Sequence, residues 1–150
     1  MKIIYCFPII FITVFTSCNN DSTQKSNRDD DHALSAVDCY SYTSVKDTVY
    51  LQLNSSNNSL TGELLFKLFE KDQNKGTIAG TMKGDTLFAT YTFMSEGMES
   101  VREVAFLKKG NDFIEGYGDI EEKNGEILFE NHNQLTFNDN MVLKHVDCSK

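Results

Sequence analysis

The chain of 150 residues predicts an all-β domain, a single antiparallel up-and-down barrel of about eight strands. Three observations carry this. Short apolar runs alternate at period two, compact polar turns separate them, and the one proline, Pro8, lies outside the part that reads as folded. Short connections favour neighbouring antiparallel strands, and closing the sheet removes its exposed edges.

The folded part begins near Val37, with a first strand expected over residues 38–43. Over residues 47–54, Val49, Leu51 and Leu53 alternate with Thr48, Tyr50 and Gln52, the pattern of a half-buried strand, and Ser55-Ser56-Asn57-Asn58 turns it. Residues 59–70 place Leu60, Leu64, Phe66 and Leu68 on one face. Leu65 and Phe69 fall on the other, so periodicity alone leaves a helix open; Thr61-Gly62 weakens a helix start, and the flanking strands favour one long strand.

The clearest stretch is 76–109, a β-meander around which the rest is organised. Ile78 and Met82 alternate with Thr77 and Thr81, Lys83-Gly84-Asp85 turns the chain, and the run from Leu87 to Phe93 follows. A polar loop from Ser95 to Ser100 leads into a strand over 101–107. Beyond it, Phe113 and Tyr117 share a face while Gly116 and Gly118 mark a bulge or a close backbone approach on the other. Asn124-Gly125 is a two-residue hairpin signal, short strands are expected at 126–130 and 134–137, and 141–146 reads as a last strand or a short helix.

The N-terminus is patterned differently. Lys2 supplies a positive n-region, Ile3 to Phe15 an apolar h-region, and Phe15-Thr16-Ser17-Cys18 a small-residue cleavage site. The apolar run is shorter than the about 20 residues a spanning helix requires. Thr16-Ser17-Cys18 resembles the bacterial lipobox, with Phe15 in place of the usual aliphatic residue; the resemblance implies that Cys18 is acylated and becomes the new N-terminus. The organisation expected is therefore a lipoprotein signal peptide over 1–17, a lipidated flexible acidic tether over 18–36 and a barrel over 37–150. From Asn19 the tether has no apolar residue before Ala33, too little to offset the entropy of ordering. Asp29-Asp30-Asp31 within it resembles the surface-export patch of Bacteroidota lipoproteins or simply solvates the linker.

Cys6 leaves with the signal and Cys18 carries lipid, so Cys39 and Cys148 remain to form a disulfide across the folded part in an oxidising compartment. The net charge of −8 argues against a nucleic-acid partner, which demands a basic stripe to displace phosphate counterions.

With these features in place, the chain resembles a family of uncharacterised Bacteroidota envelope lipoproteins. The matching residues are dense in the middle: Glu70-Lys71-Asp72, Asn74, Gly76-Thr77-Ile78, Gly80, Gly84-Asp85-Thr86-Leu87, Ala89, Tyr91-Thr92-Phe93, Ser95-Glu96-Gly97, Ser100, Arg102-Glu103-Val104 and Glu115-Gly116-Tyr117-Gly118. The resemblance implies an address, the outer membrane of a Gram-negative bacterium, and no activity. A weaker likeness to lipocalin-type barrels is architectural only, since the chain has no Trp for their Gly-x-Trp start.

No His-Glu-x-x-His, Gly-x-Ser-x-Gly or Cys-x-x-Cys pattern occurs, so neither catalytic nor metal-ligating residues are expected, and no cofactor. The specific candidate is the segment from Ser95 to Glu103. Either Arg102 or Glu103 must point inward on a two-faced strand, and an inward charge needs a partner, for which Glu96 or Glu115 would serve Arg102. Arg102 is then a salt-bridged plug of one barrel end or a ligand-recognising group. Tyr91, Phe93, Glu96, Arg102 and Tyr117 form the candidate ligand site, the aromatic members doubling as plain core. The functions that follow are a non-enzymatic module holding a small or lipidic ligand in its barrel, or an interaction module docking an envelope protein through an outer face that involves Phe69 or Phe88.

Overall fold

The structure is a computed structural model and describes residues 37–148. The signal peptide, Cys18 and the whole of the tether expected above lie outside the described residues. Ten strands follow in order: β1 (Val37–Thr43), β2 (Thr48–Ser56), β3 (Ser59–Lys67), β4 (Asn74–Lys83), β5 (Thr86–Ser95), β6 (Met98–Lys109), β7 (Asp112–Tyr117), β8 (Ile120–Lys123), β9 (Glu126–Phe129) and β10 (Thr136–Val146). A 3-10 turn, His132–Gln134, precedes the last.

Seven strands run up and down in sequence order, and β10 then fills the eighth place in the wall, pairing with both β7 and β1. The barrel is closed and antiparallel. Strands β8 and β9 stand outside this circuit as a hairpin, and β9 pairs parallel to β6 at Val101 and Arg102. The runs expected at 134–137 and 141–146 are one strand, since β10 bonds to β7 on both sides of a register shift between Phe137 and Val142. The helical alternatives for 59–70 and 141–146 are not taken: both segments find antiparallel neighbours on each side.

Local chemistry dictates the turns. Asn124-Gly125 and Glu96-Gly97 both hold two successive positive φ angles (56° and 83°, 51° and 80°), the backbone twist that joins adjacent strands in two residues. Gly76 and Gly80 on β4 have another role. A Cβ at either would run into the backbone of β5, at the Thr92 carbonyl and the Phe88 carbonyl, so glycine allows the wall to bend there.

The interior is filled. Val49, Leu51, Leu64, Ile78, Leu87, Tyr91, Phe106, Phe113 and Leu143 join one cluster with almost no exposure, each on the inward parity of its strand. The expected inward sets of β2 and β3 are therefore the observed ones. Tyr91 brings a hydroxyl into this core and donates it to the Leu64 carbonyl at 3.1 Å, which satisfies the buried polar group.

Cys39 and Cys148 are bridged, with Cα atoms 5.2 Å apart. Cys39 faces outward, where the Tyr50 hydroxyl donates to its sulfur at 3.0 Å. The bridge reinforces the β1–β10 ladder, which has only three register pairs. Replacing both cysteines by serine is expected to lower the unfolding free energy by about 4 to 5 kcal/mol on the loop-entropy model, read from denaturant midpoints with and without reductant. A reductant-insensitive wild-type midpoint contradicts the bridge.

Candidate functional site

The ends of the barrel differ. One carries the β2–β3, β4–β5 and β6–β7 turns, the start of β1 and the end of β10; the other carries the β5–β6 turn, the β3–β4 loop and the hairpin. The polar groups that face inward gather at this second end.

The β6–β7 ladder runs from Lys109↔Asp112 to Phe106↔Glu115 and goes no further, while β9 takes up β6 again only at Val101 and Arg102. A seam in the wall lies between the two pairings. A cavity of about 270 Å³ occupies it, with Arg102, Glu115 and Tyr117 against Val104, Ile127 and Phe129. A second cavity of about 300 Å³ lies at the mouth and shares Arg102, Glu115 and Tyr117, adding Phe66, Lys71 and Asn74. The two cavities meet at these three residues.

Arg102 faces inward because its strand neighbours of the same parity, Val104 and Phe106, belong to the core. Its guanidinium carbon sits 5.1, 5.5 and 5.4 Å from the ring centroids of Phe66, Tyr91 and Phe93, inside cation–π range of all three. Tyr91 lies directly opposite it on β5, and its ring stacks on Phe93 at 4.6 Å. No carboxylate of the described residues pairs with Arg102 within 4.0 Å. Its Nε is buried without a hydrogen-bond partner, and so is the Oδ1 of Asn74, the only two such side-chain atoms among the described residues. Both residues line the mouth cavity.

Glu115 points to the same place from β7. Burial pushes its carboxyl above the usual carboxylate range, against the hydrogen bond from Tyr117 and the positive charge of Arg102. The Tyr117 hydroxyl donates to Glu115 Oε2 at 2.8 Å. Its phenol is raised by burial and by the Glu115 charge, and that of Tyr91 is pushed up to about 12 by burial with Arg102 opposing. All three groups therefore hold their protons more firmly than in water. Such a set accepts and donates hydrogen bonds around one cation.

Of the residues expected from sequence, Tyr91, Phe93, Arg102 and Tyr117 come together here. Glu96 does not: it occupies the exposed β5–β6 turn at φ 51°, outside both cavities. The turn conformation that Glu96-Gly97 provides directs this side chain to solvent. Phe88 is not an exposed docking residue either, since the His132 ring stacks on it with centroids 4.4 Å apart. His132 Nε2 meets the Glu103 carboxylate at 2.9 Å, and Glu103 also accepts from the Phe129 backbone N–H at 3.1 Å. This outward cluster ties the chain after the hairpin to β6.

Asn74, Ile127 and Phe129 were not legible as site residues. Asn74 sits among the polar residues of a loop-to-strand boundary, and Ile127 and Phe129 reach the seam only because β9 pairs parallel to β6, a contact that no local pattern announces. Comparison with protein-family models, with curated proteins and with solved structures finds no match to this chain.

The raised Glu115 carboxyl has a stability consequence. Below the ordinary carboxylate range the folded and unfolded chains are both protonated there; as pH rises, the unfolded carboxyl ionises first and Glu115 increasingly opposes folding. Glu115→Gln is expected to raise the denaturant midpoint at neutral pH, with the gain vanishing towards about pH 4. A gain independent of pH would contradict the burial effect.

Proposed function

We propose that this chain is a non-enzymatic, lipid-anchored module of a Gram-negative envelope that binds a small ligand at the mouth and seam of its barrel. The observation that carries the reading is Arg102: an inward cation with no protein hydrogen bond to its buried Nε, together with Asn74, whose Oδ1 is also unpartnered, both residues lining one cavity. Buried polar groups are ordinarily paired, so two orphans at one cavity favour a partner supplied from outside. The filled interior narrows the earlier expectation, because the ligand lies at the end of the barrel and not along its axis. The chain enters the wall at the opposite end, where Val37 pairs with Asn54.

A second reading, a module that docks an envelope protein, draws on the rim. Val45, Phe69, Met94 and Met98 are all exposed and belong to turns or strand ends at the mouth end. Among them Phe69 carries the Lys46 ammonium over its ring at 3.6 Å.

Native mass spectrometry of the full chain, released gently from its own envelope, separates the two. An extra small mass on the wild type, absent from Arg102→Met with an unchanged denaturant midpoint, is the outcome expected of the binding module. Wild-type protein arriving clean, or with a second polypeptide, supports docking instead. Collapse of the Arg102→Met fold would make Arg102 a structural plug.

A further inference from the structure

Resting on that binding reading, we infer that the ligand is an amphiphile with a single carboxylate head, its head on Arg102 and its apolar body in the seam beneath the β8–β9 hairpin. The seam cavity has a mixed lining. Arg102, Glu115, Tyr117 and Glu103, the last engaged by His132 and the Phe129 N–H, supply its polar groups, and Val104, Ile127 and Phe129 supply apolar surface. Ile120, at the start of β8, extends that surface and is 57% exposed. A wholly polar ligand leaves this lobe unused, and a hydrocarbon leaves Arg102 without a partner.

The head is specified by charge and shape. A guanidinium offers a planar fork of donors that matches a carboxylate in two parallel bonds, and hydrogen bonds between charged groups are the strong ones. The three rings around Arg102 hold its carbon on their faces without consuming any of its N–H donors. Asn74 lines the mouth cavity with Arg102, and a half-turn of its amide presents N–H to an incoming oxygen.

Glu115 limits the charge the site accepts. It stands in the same two cavities as Arg102, and Glu103 lines the seam as well, so a doubly charged phosphate meets one guanidinium among carboxyls, while a monoanion pairs with that guanidinium alone. Lys71 is a further cation at the mouth, but Asp72 lines the cavity beside it and offsets its charge. Arg102 is the cation left for a head group to pair with, and each further negative charge on that group faces the carboxyls of Glu115 and Glu103.

Calorimetric titration of the full chain at neutral pH with octanoate, hexanoate, octanol and octyl phosphate tests this. Octanoate is expected to bind at least about tenfold more tightly than octanol, the margin of a hydrogen-bonded charge. Loss of two methylenes, from octanoate to hexanoate, is expected to weaken binding by roughly fourfold for each. Arg102→Met should abolish the preference for acid over alcohol while leaving octanol affinity in place; Ile127→Asn should weaken octanoate and flatten the dependence on chain length.

Octanol binding as tightly as octanoate, octyl phosphate binding more tightly than octanoate, or an acid preference that survives Arg102→Met overturns the assignment. If no probe binds while the envelope-derived protein still carries its extra mass, the carboxylate class is overturned and the binding reading stands. If no probe binds and no mass is carried, both fall.

Discussion

Closure of the barrel through the β1–β10 ladder is the constraint on which the rest of this structure depends. Only three register pairs join the first and last strands, and the Cys39–Cys148 bridge holds the two segments beside one another. Once the circuit is closed, every strand has an inside, and alternate side chains on all eight must share a space just wide enough for them. Apolar residues take most of it, from Val49 on β2 to Leu143 on β10. The same parity carries Arg102 and Glu115 inward, because each stands two residues from a core position of its own strand, Val104 and Phe113.

An inward arginine is costly when its charge is left alone. Here the cost is reduced by position and by aromatic faces, since Arg102 stands at the mouth and Phe66, Tyr91 and Phe93 surround its guanidinium. Cation–π contact offsets desolvation by about 0.5 to 2 kcal/mol and, unlike an ion pair, leaves the donors uncommitted. The Nε of this arginine is buried without a hydrogen-bond partner.

The seam arises from the way the wall is interrupted. β7 leaves β6 at the Phe106↔Glu115 pair, and the hairpin that follows returns alongside β6 in the parallel sense at Val101 and Arg102. Glu103, on the outer face between these pairings, is held by Phe129 and His132, so the hairpin's far end is tied to the strand that carries Arg102. Architecture and site therefore share a cause. The place where the wall lacks continuous pairing is where apolar side chains of β9 meet polar ones of β6 and β7.

The alternation of Val49, Leu51 and Leu53, the meander from Gly76 to Lys109 and the Asn124-Gly125 turn were legible because period-two patterning and left-handed turn residues are local properties. The same rule required one of Arg102 and Glu103 to turn inward, and the cysteine count singled out Cys39 and Cys148. By itself, then, the sequence determined an antiparallel all-β fold, its inward faces and that one of Arg102 and Glu103 turns inward. The tertiary structure alone decided that β10 and not β8 completes the wall, that Glu96 is turned to solvent, and that Asn74, Ile127 and Phe129 converge on Arg102. These outcomes depend on pairings between segments distant in the chain, whose selection is a competition among whole-sheet arrangements and leaves no signature in any short run of residues.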